Sequence, residues 1–269
     1  MSTDTVHHHR GDHLATDPTH TTDPDPASVR TTARVAGVLY LAIFVIAPFA
    51  FFVVPDRIVA DGDAAATAAN LAESEGLFRA GMVAETVIIA IELVLAGLLY
   101  ALLRPVSRPL SLAAAFARVG EAIVQAVNLF TGAIVLLIAT GSGYMAVFEP
   151  DQLDALTSLF IDVNQFGVMV WGLLFGVHLA LLGFLVYRSG FWPRAIGALL
   201  VVASVGYLAQ SYAHVVVPEH DDFFEVFVVA LAAPGELAFT IWLLWKGIDA
   251  PAWYRRNRRD HAVDHHVVG

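Results

Sequence analysis

Apolar residues gather into six long runs, at about 34–54, 78–103, 110–140, 156–187, 195–217 and 223–247, with Arg, Pro, Gly, Asp and Glu concentrated between them. Each run can cross a hydrocarbon core of about 30 Å at about 1.5 Å of rise per residue. Backbone groups in lipid must satisfy one another, so the runs predict helices, and the alternation of a membrane barrel is absent. The expected fold class is all-α: a polytopic membrane bundle of six transmembrane helices occupying residues 33–247.

The segments between the runs carry opposite charge in alternation. Arg104 and Arg108 follow the second run and Arg188 and Arg194 the fourth, which predicts cytoplasmic loops. Arg30 and Arg34 before the first run, and Lys246, Arg255, Arg256, Arg258 and Arg259 after the last, place the N-terminus and C-terminus on the same cytoplasmic side. The other loops are acidic, with Asp56, Asp61, Asp63, Glu73 and Glu75, then Glu149, Asp151 and Asp154, then Glu219, Asp221 and Asp222, and are expected outside.

Local signals refine this frame. Asp63 predicts the cap of a short alanine-rich helix from Ala64 to Glu75 on the outer surface, ended by Gly76. Pro150 suits the first turn of a helix, Pro48 and Pro234 predict bends in the first and last spans, and Trp253-Tyr254 suits the headgroup region. Residues 1–32, rich in Asp, Thr, Pro and His, are expected to form a disordered cytoplasmic tail in which His7-His8-His9 is solvated. The first apolar run lacks the placement of a signal peptide and reads as a retained span. Residues 248–269 read as a basic cytoplasmic tail.

Composition agrees: 57% of residues are hydrophobic and 15% charged, and six spans leave no length for a separate soluble domain. The net charge is −10 and Lys246 is the only lysine, a balance that points to a halophilic setting ahead of the alternative, a GC-rich genome favouring Arg codons. The absence of cysteine excludes disulfides, thiolate metal sites and thiol catalysis. The expected partner is the lipid bilayer, with a small solute or ion as cargo; no nucleic acid is expected, and oligomerisation is undetermined.

Several stretches together carry a family resemblance: ARVAGVLYL from Ala33, DAAATAANLAESEGLFRAG from Asp63, LLYALLRPVSRPLSLAAAFARVGEA from Leu98, LLGFLVYRSGFWPRAIGALL from Leu181 and GELAFTIWLLWKG from Gly235. The chain resembles, over about residues 33–247, the uncharacterised prokaryotic integral membrane family known as domain of unknown function 4386 (DUF4386). The resemblance implies a multi-helix membrane protein and brings no substrate, cofactor or catalytic residue.

The spans are not uniformly apolar. An ionisable group at a helix centre costs about 2.5–3.5 kcal/mol on insertion scales, so each needs a partner or a purpose. Glu85 and Glu92 share one face of the second span, and Arg118, Glu121, Gln125 and Asn128 one face of the third. Counted from the basic loops, Glu92, Glu121, His178 and Glu236 lie at a common depth of about 14–17 Å, with Arg118 slightly nearer the cytoplasm. This predicts a buried polar layer of Glu92, Arg118, Glu121, His178 and Glu236, in which Arg118 pairs with Glu121 or Glu92. Tyr207, Gln210, Ser211 and His214 share a face of the fifth span, and Glu85, Asn128, Gln210 and His214 are candidates for a polar path from the layer to the outside.

Three carboxylates against one fixed cation leave a surplus to be protonated, hydrated or matched by a bound cation, which would suit proton or cation translocation. The alternative is an ion-paired clamp that only fixes helix packing, in a non-transporting sensor, assembly or structural protein. A lipid-modifying enzyme is a third class. No catalytic or metal constellation is evident: the only lysine lies at a span end, which argues against retinal, His178 and His214 differ too much in depth for a bis-histidine haem, and no HExxH, nucleotide loop or GxSxG occurs. No cofactor is expected.

Overall fold

The computed structural model describes residues 26–141 and 143–267; the N-terminal tail through residue 25, with its His7-His8-His9 run, lies outside the described residues. Among the described residues the secondary structure is entirely helical. The first span comprises α1 (Pro26–Pro48), a π-helical turn at Phe49–Val53 and the short α2 (Val54–Ile58). The others are α4 (Glu75–Leu103), α5 (Arg108–Ala139), α6 (Pro150–Ser189), α7 (Arg194–Val216) and α8 (Asp221–Trp245). These are six helices long and apolar enough to cross a membrane. Two shorter helices lie outside them, α3 (Ala64–Glu73) and α9 (Ala250–Val267).

Boundaries move where local chemistry is stronger than hydropathy. Helix α1 begins at Pro26 rather than position 33, because proline is suited to a first turn and Val29 continues the buried stripe of Ala33 and Ala36 toward the N-terminus. Helix α6 starts at Pro150, six residues before its apolar run, through a reciprocal cap in which Glu149 N–H donates to the Gln152 side chain at 3.0 Å. At 40 residues, about 60 Å, it overshoots a bilayer core. Its excess length supports α3, which is capped by Asp63 accepting from Ala66 N–H at 2.9 Å. The end of α3 comes at Ser74 instead of Gly76, since α4 begins at once with Glu75. The proline expected to bend the first span is followed by the π turn, whereas Pro234 stays within a continuous α8.

Each spanning helix packs on its neighbours in sequence and the last returns to the first, closing a ring in the order α1, α4, α5, α6, α7, α8. The tightest seam joins α6 and α7, where a Cβ on Gly183 would meet Gly197 O at 2.8 Å and one on Gly197 would meet Gly183 O at 2.7 Å. Small residues let these backbones touch, which is how dispersion replaces a hydrophobic drive inside lipid.

One end of the ring collects the arginine-bearing loops. There α9 folds back under the bundle: Trp253 Nε1 donates to Leu102 O at 2.8 Å, Arg256 Nε to Pro105 O at 3.3 Å, and Trp192 Nε1 to Gly247 O at 2.9 Å. The Leu102 carbonyl in the last turn of α4 lacks a partner within its own helix, and Trp253 supplies it, while Arg256 serves the loop that follows. The segment read as a basic tail is therefore a docked helix, and Trp253 and Tyr254, expected at the headgroups, are 2% and 7% exposed inside the protein. Arg255, Arg258 and Arg259 remain on the exposed side of α9. The acidic loops lie at the opposite end, where Val54, Ile58, Leu71 and Val135 form a second, smaller apolar cluster beneath α3.

Candidate functional site

At mid-bundle every spanning helix contributes a polar or aromatic group to one cluster. Arg118 of α5 is its centre, 2% exposed, with Nη1 at 3.1 Å from Oε1 of the wholly buried Glu121. The spacing is i to i+3, so the two side chains share a helical face by construction. The Tyr40 ring of α1 lies 5.4 Å and the Phe175 ring of α6 5.2 Å from the guanidinium carbon, holding the charge between two π faces. Tyr40 also meets Phe239 of α8 edge-on at 5.9 Å.

Glu92 of α4 and Glu236 of α8 both lie close enough to Arg118 to feel its charge, and both also act on Glu121. The Tyr207 hydroxyl of α7 approaches the Glu236 carboxylate without reaching strict hydrogen-bond geometry. The Trp171 indole nitrogen of α6 approaches the Glu92 carboxylate without reaching strict hydrogen-bond geometry. His178 of α6 has Nδ1 2.8 Å from Ala114 O; a carbonyl can only accept, so Nδ1 carries the proton and Nε2 presents a lone pair to the interior.

The five residues of the predicted layer are thus brought together around one guanidinium. Many of their polar atoms have no hydrogen-bond partner in the protein: Glu92 Oε2, Glu121 Oε2, Glu236 Oε1, His178 Nε2 and Arg118 Nε; both amide atoms of the neighbouring Gln125 also lack one. Buried polar atoms are normally satisfied, so this concentration of orphans in one layer is unusual. The arrangement is suited to holding and passing protons among its buried carboxyl groups.

The four residues of the predicted outer path are less united. Asn128 turns toward α6, where its Nδ2 donates to Asn164 O at 3.0 Å and Asn164 Nδ2 donates to Thr131 Oγ1 at 2.9 Å, an interhelical bracket beside Gly167. His214 is hydrogen-bonded through Nδ1 to Asp221 Oδ2 at 2.6 Å and meets Phe166 edge-on. Glu85 and Gln210 are partly exposed on α4 and α7, and among the described residues no hydrogen bond links Glu85 to the other three. Sequence reasoning missed Tyr40, Trp171 and Phe175. Tyr and Trp favour membrane interfaces, so their occurrence deep inside long apolar runs was the available signal.

Among the described residues no three His, Asp or Glu side chains converge in a way that would hold a metal ion. A closed ring of apolar helices around a buried charged cluster defines a multi-pass membrane protein with a polar interior. The chain belongs to the family described as Domain of unknown function (DUF4386), whose profile matches residues 35–247. An uncharacterized protein of Archaeoglobus fulgidus is 31% identical over 163 residues, covering 60% of this chain and 79% of that protein. No solved structure matches the chain.

Proposed function

We propose that this protein passes protons or a small cation across the cell membrane through its buried carboxylate layer. The reading rests on one observation: three carboxylates converge on a single guanidinium inside a closed helix ring, with buried oxygens that no protein donor meets. Taking an ion out of water costs several kcal/mol even after relaxation, so a surplus of carboxylates is retained only with protons or cations to match it. Exchange of those partners between the two sides would be transport. The arginine-bearing end, with both termini, faces the cytoplasm in this reading, and the acidic end faces outward, as retention of basic loops on the cytoplasmic side requires. Acidic exposed loops and a single lysine suit a cell living in high salt.

The test is purified protein in vesicles with an imposed pH or sodium gradient, read by an internal pH or sodium dye. The parent protein should dissipate one gradient, and Glu92→Gln, Glu121→Gln and Glu236→Gln should each reduce that flux. No flux of either ion in the folded parent protein would end this reading.

A second reading has its own support. Arg118 is gripped by two aromatic rings and paired to Glu121 within its own helix, which suits a static clamp that fixes helix packing in a non-transporting sensor, assembly or structural protein. In that case the three Gln variants change stability alone.

A further inference from the structure

The inward stripes of the helices differ above and below the charged cluster. On α8, Ala232, Phe239, Thr240 and Leu243 are 4%, 1%, 2% and 0% exposed, and Glu236 lies on the same stripe, three or four residues from Ala232, Phe239 and Thr240. Glu236 as a residue is nevertheless only half-buried, although its Oε1 is itself buried. On α7, Leu200, Ala203 and Ser204 are sealed, whereas Tyr207, Gln210 and His214, successive positions toward the acidic end, are all partly accessible. Toward the arginine end, Leu102, Leu179, Leu182, Leu185, Val186 and Trp253 are each 2% exposed or less.

A lateral opening between α7 and α8 does not account for this surface. A Cβ on Gly235 would meet Leu199 O at 2.8 Å, and one on Gly206 would meet Leu231 Cβ at 3.3 Å, so the seam is shut on both sides of Glu236. The half-buried polar stripe of α7 leads from there past His214 to Asp221 and the exposed Glu225 at the acidic end. Acidic groups at the mouth of a low-dielectric cleft concentrate cations there.

We infer that the cluster is reached by water from the acidic face only, and that Glu236, beside Tyr207, is the carboxyl that exchanges its proton with that water while Glu121 stays engaged with Arg118. The groups facing Glu236 are Tyr207 on α7, Arg118 and Glu121 on α5, and Tyr40 on α1, with Glu92 on α4 and His178 on α6 completing the cluster. This deepens the proton-handling reading by assigning the exchanging group and the side from which it is reached.

The chain has no cysteine, so single-cysteine variants of the full protein report access without background. In sealed vesicles a membrane-impermeant maleimide should label Gln210→Cys from the same side as Asp61→Cys in the acidic loop. Leu182→Cys and Val186→Cys should react only after denaturation. A water-soluble carbodiimide with an amine, added on that side, should tag the Glu236 peptide by mass, leave Glu121 untagged, and lose the tag in Glu236→Gln. The inference is overturned if Gln210→Cys reacts only after denaturation or from the opposite side, if Leu182→Cys and Val186→Cys both label in the folded protein, or if Glu121 is tagged as readily as Glu236. These readouts need no flux. Labelling as expected without ion flux removes the transport reading and leaves the one-sided access; flux with an unreactive Gln210→Cys does the reverse.

Discussion

Replacing Arg118 with methionine removes the cation of the cluster at nearly constant length and leaves Glu92, Glu121 and Glu236 facing one another. At the observed 3.1 Å and an effective dielectric constant of about 20, attraction between Arg118 and Glu121 is worth about 5 kcal/mol. Desolvation of both ions offsets much of this in the folded protein, but the offset is lost when one partner goes and the other stays buried. Breaking a buried pair from one side costs about 3–5 kcal/mol, and Arg118→Met is expected in that range. Glu121→Gln should cost less, because Glu92 and Glu236 still compensate Arg118. The double variant Arg118→Met/Glu121→Gln should therefore be more stable than the sum of the two single losses, by at least about 1 kcal/mol. Reversible unfolding in mixed micelles, followed by far-UV circular dichroism and helix-packing fluorescence, measures all four proteins. The reasoning fails if Arg118→Met changes stability by less than about 1 kcal/mol, if Glu121→Gln is the more damaging change, or if the two losses simply add.

Three further outcomes follow from the packing. Gly197→Ala should destabilise the bundle by about 1–3 kcal/mol, because its new methyl meets the α6 backbone, which cannot turn aside. Gly97→Ala, with nothing within 4 Å, serves as its control in the same thermal melts. Trp253→Phe removes the donor to Leu102 O and should cost about 1 kcal/mol while speeding trypsin cleavage at Arg255 and Arg258; an unchanged cleavage rate contradicts the docking of α9. Asp63→Ala removes the α3 cap, at a cost of about 1 kcal/mol, and should speed hydrogen exchange at the start of α3 without affecting the cluster.

The six spans were legible because the membrane imposes one rule on every residue of a span: a long apolar run must be helical and must be about as long as the core is thick. The layer was legible for a related reason. Glu92, Arg118, Glu121, His178 and Glu236 are rare residues in such runs, and their common distance from the basic loops follows from the constant helical rise. Asn128 was not legible in the same way. Its partner, Asn164, lies 36 positions away on α6, and a helical stripe records that a face is polar without recording which neighbour meets it. The role of α9 was hidden for a similar cause, since Trp253 and Arg256 serve carbonyls about 150 residues earlier in the chain.

By itself, then, the sequence determined the number and type of the spans, the alternating charge of their loops and the depth of their ionisable groups, because hydropathy, charge and helical rise are properties of local chain. Only the tertiary structure decided that the ring closes with α8 beside α1, that one guanidinium lies against two aromatic rings within reach of the charge of three carboxylates, and that α9 docks under the arginine end. Those outcomes depend on which side chains from different helices compete for the same volume, and the Gly183–Gly197 contact is the plainest case: each glycine is unremarkable in its own helix, and only their meeting brings two backbones together.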